Sequence, residues 1–181
     1  MKTIITTIIA VLLLTTACSN TVDEPIRTTS KYQTYVTLGQ ELPLAELTSI
    51  DKQKINLQEK GKRKLVILFA TWCSDSQRII QQLLASSLIQ KKDLTIVGIG
   101  REETVESLQK FASEYKVNFP LISDKKREIY AKFANAGVPR LILVDEDNKI
   151  VKTLIGEDPT TIEKLMKSAK IINKLNNKDI V

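Results

Sequence analysis

The chain contains no histidine. That absence removes Ser-His and Cys-His dyads, imidazole general bases and every zinc site that relies on an imidazole. Its 181 residues hold only two cysteines, Cys18 and Cys73, too few for a structural zinc site or a disulfide framework. There is no internal repeat and no composition break that would mark a second folded domain. The net charge of +6 is modest and spread along the chain, so no nucleic-acid partner is expected. What remains, 43% hydrophobic and 27% charged residues, is the make-up of one ordinary globular domain with enough material for a core.

At the N-terminus, Lys2 precedes an apolar stretch at residues 4–14 that is too short to span a bilayer as a mature helix. Leu14-Thr15-Thr16-Ala17-Cys18 and a polar continuation follow. A leader that ends on a small residue before cysteine resembles that of bacterial lipoproteins, which implies cleavage after residue 17 and lipidation of Cys18. Thr15 stands where that family prefers Leu, Val or Ile. The other reading is a secretory leader cut nearby, with Cys18 left as a thiol. On the first reading the chain divides into a leader (1–17), a lipid-anchored tether (18–36) with few apolar residues, and a domain (37–178) in an extracytoplasmic space of the cell envelope. Ser19 directly after Cys18 is similar to lipoproteins sorted to the outer membrane.

Leu65-Val66-Ile67-Leu68-Phe69-Ala70 is an unbroken apolar run, the pattern of a short strand covered on both faces. After Trp72-Cys73 the pattern changes. Ser74, Asp75 and Ser76 are helix-starting residues, and Ile79, Ile80, Leu83 and Leu84 recur at helical spacing. Cys73 therefore sits where a buried strand hands over to a helix. Free backbone N–H groups and the positive end of the helix dipole favour a thiolate there. Asp75 reads as a complement to that helix end.

Phe69-Ala70-Thr71-Trp72-Cys73-x-x-Ser76 resembles the Trp-Cys-x-x-Cys active-site segment of the thioredoxin superfamily, with serine in place of the second cysteine. Ala136-Gly137-Val138-Pro139-Arg140, read alone, is a loop before the apolar run 141–144. The resemblance implies that Val138–Pro139 is the superfamily's cis-proline bond, packed against Cys73, with Trp72, Val138 and Pro139 shaping the substrate surface. Arg140 would turn toward Cys73 or serve at the surface. The implied fold is α/β and thioredoxin-like: a central mixed sheet flanked by helices, with an N-terminal β-hairpin and an inserted strand–helix unit of the TlpA-like branch.

The rest of the chain fits that frame. Residues 45–50 and 55–57, around Asp51-Lys52, predict a short hairpin. The Cys73 helix is predicted to run to about residue 87. Residues 94–100 read as a second buried strand, and 104–115 as a helix with Val105, Leu108, Phe111 and Ala112 on one face. Asp124 reads as a cap, and Ile129, Tyr130 and Phe133 mark a short helix. Residues 141–144 form a third buried strand and 150–155 an alternating one. A final helix at 160–175 turns Ile162, Leu165, Met166, Ala169 and Ile172 inward. Its Lys164, Lys167, Lys170 and Lys174 form a solvated face or a contact for anionic lipid or an acidic partner. Apolar runs joined by helices imply parallel strands, with an antiparallel hairpin at one end.

Ser76 governs the expected chemistry. A hydroxyl can hydrogen-bond to a thiolate at Cys73 but cannot displace sulfur from a disulfide. The resemblance thus implies monothiol exchange: Cys73 attacks a protein disulfide, and an external thiol or the substrate's own second cysteine completes the turnover. The catalytic candidates are Cys73 and Ser76, and the resemblance implies no metal and no organic cofactor. Two other readings stand beside it. One is a thiol peroxidase, although Ala70 occupies the position three before the cysteine where peroxiredoxins carry threonine. The other is a lipid-anchored binding module in which Cys73 is a packed core residue.

Overall fold

The computed structural model describes residues 31–176, with side chains as far as residue 169. The expected leader, Cys18 and most of the expected tether lie outside the described residues, as do the side chains of Lys170, Ile172 and Lys174.

The apolar run becomes strand β3, Arg63–Phe69, buried along its whole length. It lies at the centre of a five-stranded sheet. With β4 (Leu94–Arg101), β5 (Leu121–Asp124), β6 (Arg140–Val144) and β7 (Ile150–Ile155), the order is β5-β4-β3-β6-β7. Strands β3, β4 and β5 are parallel, while β6 runs antiparallel to β3 and β7 antiparallel to β6. The direction of β6 departs from the parallel reading of the buried runs. The reason is that burial on both faces produces the same apolar run whichever way a strand points.

Alternation along β3 divides the core in two. Leu65, Ile67 and Phe69 join Ile79, Ile80 and Leu83 of helix α1 (Ser74–Leu84), Leu108 and Phe111 of α2 (Val105–Tyr115), and Ile162, Leu165 and Ala169 of α3 (Thr161–Asn176). Val66 and Leu68 face the other way, against Val36, Leu42, Leu44, Leu57, Tyr130 and Phe133. That second layer comes from the segment before β3 and the 3-10 turn Tyr130–Lys132. A small hairpin, β1 (Glu46–Thr48) with β2 (Lys54–Asn56), sits beside it. Among the described residues, no helix is long and apolar enough to cross a membrane.

Several boundaries differ from the sequence reading for local reasons. Helix α1 stops at Leu84, because the Ser86 hydroxyl donates to the Leu83 carbonyl at 2.7 Å and accepts from Leu88 N–H at 3.3 Å, diverting the backbone into a 3-10 turn. Strand β3 starts earlier than its apolar run, since Arg63 and Lys64 are themselves buried. Arg63 donates to Asp93 and to the Ala169 carbonyl, and Lys64 to the Glu59 carbonyl and Asn148, so each buried head group has hydrogen-bond acceptors that offset part of the cost of its burial. Val105 does not join the inner face of α2; it is 38% exposed, and Leu108 and Phe111 carry the contact. Thr104 caps that helix, accepting from Ser107 N–H at 3.1 Å while Ser107 Oγ accepts from Thr104 N–H at 3.0 Å. Asp124 caps the Tyr130 turn, accepting from Ile129 N–H at 3.0 Å and Tyr130 N–H at 2.7 Å.

Candidate functional site

Strand β3 delivers Ala70 to the end of the sheet, and a tight turn follows in which Cys73 N–H donates to the Ala70 carbonyl at 3.2 Å. Cys73 is the N-cap residue of α1, extended at φ −90° and ψ 118°, and its carbonyl accepts from Gln77 N–H at 3.0 Å. Its side chain makes no capping bond. Half-buried instead, it points at the segment before β6, where Sγ donates to the Val138 carbonyl 3.6 Å away. The Val138–Pro139 peptide is cis, and Pro139 is buried. Trp72, one residue from the thiol, is 68% exposed.

Three of the sequence-predicted residues therefore meet around Cys73: Trp72 on the turn, and Val138 and Pro139 across from it. Ser76 is placed differently. It is wholly buried, and its Oγ accepts from Ala70 N–H at 3.4 Å, facing back toward the strand end. Asp75 accepts from Arg78 at 2.6 Å, and Arg78 also donates to the Gly156 and Glu157 carbonyls at 2.8 and 3.1 Å. Arg78 thus fastens α1 to the loop between β7 and α3.

Arg140 takes neither expected role. It is 4% exposed, and its guanidinium donates to the Ala136 and Gly137 carbonyls and to Thr34 Oγ1 at 2.9 Å. The group ties the proline loop to the segment that enters the domain. Tyr35 N–H donating to the Phe133 carbonyl at 2.8 Å completes the attachment, so the segment at Thr34 and Tyr35 lies against this part of the domain.

Two residues near the site escaped the sequence reading. Gly156 N–H donates to the Pro139 carbonyl at 2.8 Å, and a Cβ at Gly156 would stand 2.6 Å from Pro139 Cγ and 3.0 Å from Ile79 Cγ1. Gly156→Ala is expected to push the proline loop off α1 and destabilise the domain by about 1–3 kcal/mol, as overpacking of a filled core does. Denaturant unfolding measures this; a variant as stable as the parent would mean the loop moves freely. The second residue is Glu103, at the turn after β4 and 5% exposed. Its Oε1 accepts from both the N–H and the hydroxyl of Thr71 at 2.7 Å, and its Oε2 accepts from the Ser107 hydroxyl at 2.6 Å. In sequence it was one acid among several in a polar turn. The Thr71 hydroxyl, the nearest match to a peroxidase threonine, donates its hydrogen bond to this carboxylate. A cleft of about 300 Å³ opens beside the turn, lined by Thr71, Trp72, Gln77, Ser107, Phe111 and Tyr115 among others.

A cysteine at the start of a helix that follows a central parallel strand, set against a cis-proline at the head of an antiparallel strand, defines the thioredoxin-like class of proteins. The chain belongs to the redoxin family, whose model matches residues 37–170. It is similar to thiol-disulfide oxidoreductase ResA of Bacillus thuringiensis (strain Al Hakam), with 28% identity over 66% of this chain and 70% of that protein. Among solved structures, a candidate protein disulfide isomerase from Bacteroides thetaiotaomicron superposes with a TM-score of 0.68 at 26% identity, covering 76% of this chain and 89% of that one. The thioredoxin domain of a thiol-disulfide oxidoreductase from Bacteroides vulgatus gives 0.58 at 26% identity, over 72% and 98%.

Proposed function

We propose that this protein carries out monothiol thiol–disulfide exchange at Cys73, in an extracytoplasmic space and held to a membrane through lipid on Cys18. The observation that carries the chemistry is the half-buried thiol at the head of α1, with Sγ 3.6 Å from the Val138 carbonyl and beside the exposed Trp72. The redoxin match and the names of the relatives support an oxidoreductase-like enzyme acting on protein thiols and disulfides. The leader-like N-terminus supports the anchor and the location.

In the first step the Cys73 thiolate attacks one sulfur of a substrate disulfide, forming a mixed disulfide and releasing the substrate's other sulfur as thiolate. In the second, an external thiol, or a cysteine of the substrate, attacks the substrate sulfur of that mixed disulfide and expels Cys73 as thiolate. One disulfide is consumed and one formed in each step, so electrons balance without a cofactor. Backbone groups before Pro139 offer an edge for an extended substrate segment, because proline leaves no N–H of its own to compete there. Ser76, held by Ala70 N–H, contributes a hydroxyl where a Cys-x-x-Cys enzyme carries its resolving thiol.

The test is to incubate the full chain with a peptide disulfide and follow the Leu65–Arg78 tryptic fragment by mass. A mixed disulfide on Cys73 is expected to accumulate, and to disappear at a rate proportional to added glutathione. Release that ignores the added thiol would sink the monothiol mechanism. No adduct until the protein unfolds would sink the exchange reading altogether and leave a binding module.

A further inference from the structure

We propose that Glu103 is a positioning residue for Cys73, holding the turn that sets the thiol at the head of α1. The inference deepens the exchange reading and rests on Cys73 being its nucleophile. A carboxylate this buried is costly unless donors surround it. Here three donors do, and two of them belong to Thr71, two residues before the cysteine. Thr71 N–H is the group that leaves the sheet when β3 ends, and Glu103 gives it a charged acceptor in place of the lost ladder. Thr71's own carbonyl accepts from Gln77 Nε2 at 2.8 Å, so the grip passes from Glu103 through Thr71 to the first turns of α1.

The carboxylate is itself held firmly. Glu103 N–H donates to the Gly100 carbonyl at 3.3 Å, and the Ser123 hydroxyl donates to the Glu103 carbonyl at 2.6 Å. Gly100 makes room for it: a Cβ there would lie 2.9 Å from Glu103 Cβ and 3.0 Å from Cγ. Through Oε2 the same group grips Ser107 in the first turn of α2, so the walls of the cleft beside Trp72 share one acceptor. The role is geometric, that of two oxygens accepting from two elements. An amide oxygen can keep both Thr71 bonds, with the amide NH₂ turned to Ser107 Oγ, so Glu103→Gln should preserve the turn and Glu103→Ala should release it.

The test compares the full chain with E103Q, E103A and T71V, each first checked for a cooperative thermal melt. Two readouts are taken: the pH profile of iodoacetamide alkylation at Cys73, read on its tryptic peptide, and the fluorescence anisotropy of Trp72, the sole tryptophan. E103A is expected to slow alkylation at neutral pH by about tenfold, displace the profile and lower the anisotropy, because the thiolate is the attacking form and its share and access depend on where the turn holds the sulfur. E103Q is expected to track the parent in both. T71V, which keeps the N–H bond and loses the hydroxyl bond, is expected to fall between them; it carries the test if E103A does not fold. Parent-like alkylation and anisotropy in folded E103A, or in T71V where E103A does not fold, overturn the inference, as does an E103Q that falls with E103A. If Cys73 of the parent alkylates only on unfolding, the exchange reading fails by itself, and the anisotropy series still decides the role of Glu103.

Discussion

Cys73→Ala should abolish exchange, leaving only the rate of the peptide disulfide with added thiol in solution. Among the described residues Cys73 is the one cysteine, and the chain's other cysteine, Cys18, is the residue proposed to carry lipid. Ser76 cannot take over, since its hydroxyl lacks the nucleophilicity toward sulfur and faces Ala70 N–H from a fully buried position. The substitution removes a half-buried side chain with one long sulfur bond, so stability should change by less than about 1 kcal/mol. Loss of activity with an unchanged melting temperature is therefore the expected pair of results. Residual exchange in C73A would place the nucleophile elsewhere.

The second large effect is a gain. Ser76→Cys would supply the thiol that the Cys-x-x-Ser segment lacks, one helical turn from Cys73 and shielded from solvent as Ser76 is. A thiol in that position attacks the mixed disulfide from within, with an effective molarity that reaches about 10⁵ M for well-placed groups, against millimolar external thiol. The mixed disulfide that builds up in the parent should then fail to accumulate, and S76C should end each cycle with Cys73 joined to the introduced thiol and the substrate reduced. Sulfur accepts hydrogen bonds less well than oxygen, so the bond from Ala70 N–H is weakened, at a cost of about 1 kcal/mol. Denaturant unfolding and a mass assay of the intermediate read both effects. In S76C external thiol is needed only to reduce, after each cycle, the disulfide joining Cys73 to the introduced thiol. If release of the mixed disulfide itself in S76C still depends on external thiol, serine at 76 is not what limits that step.

Much of the site could be read along the chain because its causes are local. The run from Leu65 to Ala70 names a strand buried on both faces, and Ser74 with Ile79, Ile80 and Leu83 names a helix, so the hand-over at Cys73 follows from residues within a few turns of it. The Asp124 cap and the Asp51-Lys52 hairpin turn are legible for the same reason. By contrast, Glu103 is 32 residues from Thr71, and Arg140 is 106 from Thr34. Nothing in the neighbourhood of either residue distinguishes a buried anchor from a solvated charge.

By itself, then, the amino-acid sequence determined the strand–Cys73–helix unit, the alternation that divides the core into two layers, and the want of a resolving thiol at Ser76. These depend on side-chain type and short-range spacing. Tertiary structure alone decided that β6 runs against β3, that Arg63, Lys64 and Arg140 are buried with hydrogen-bond acceptors around them, that Gly156 is the seat of Pro139, and that Glu103 holds the Cys73 turn. Each of these rests on groups brought together from distant parts of the chain. Burial makes such pairings strong by removing water as the competing partner, and water is the one partner that every charged residue has while the chain is unfolded.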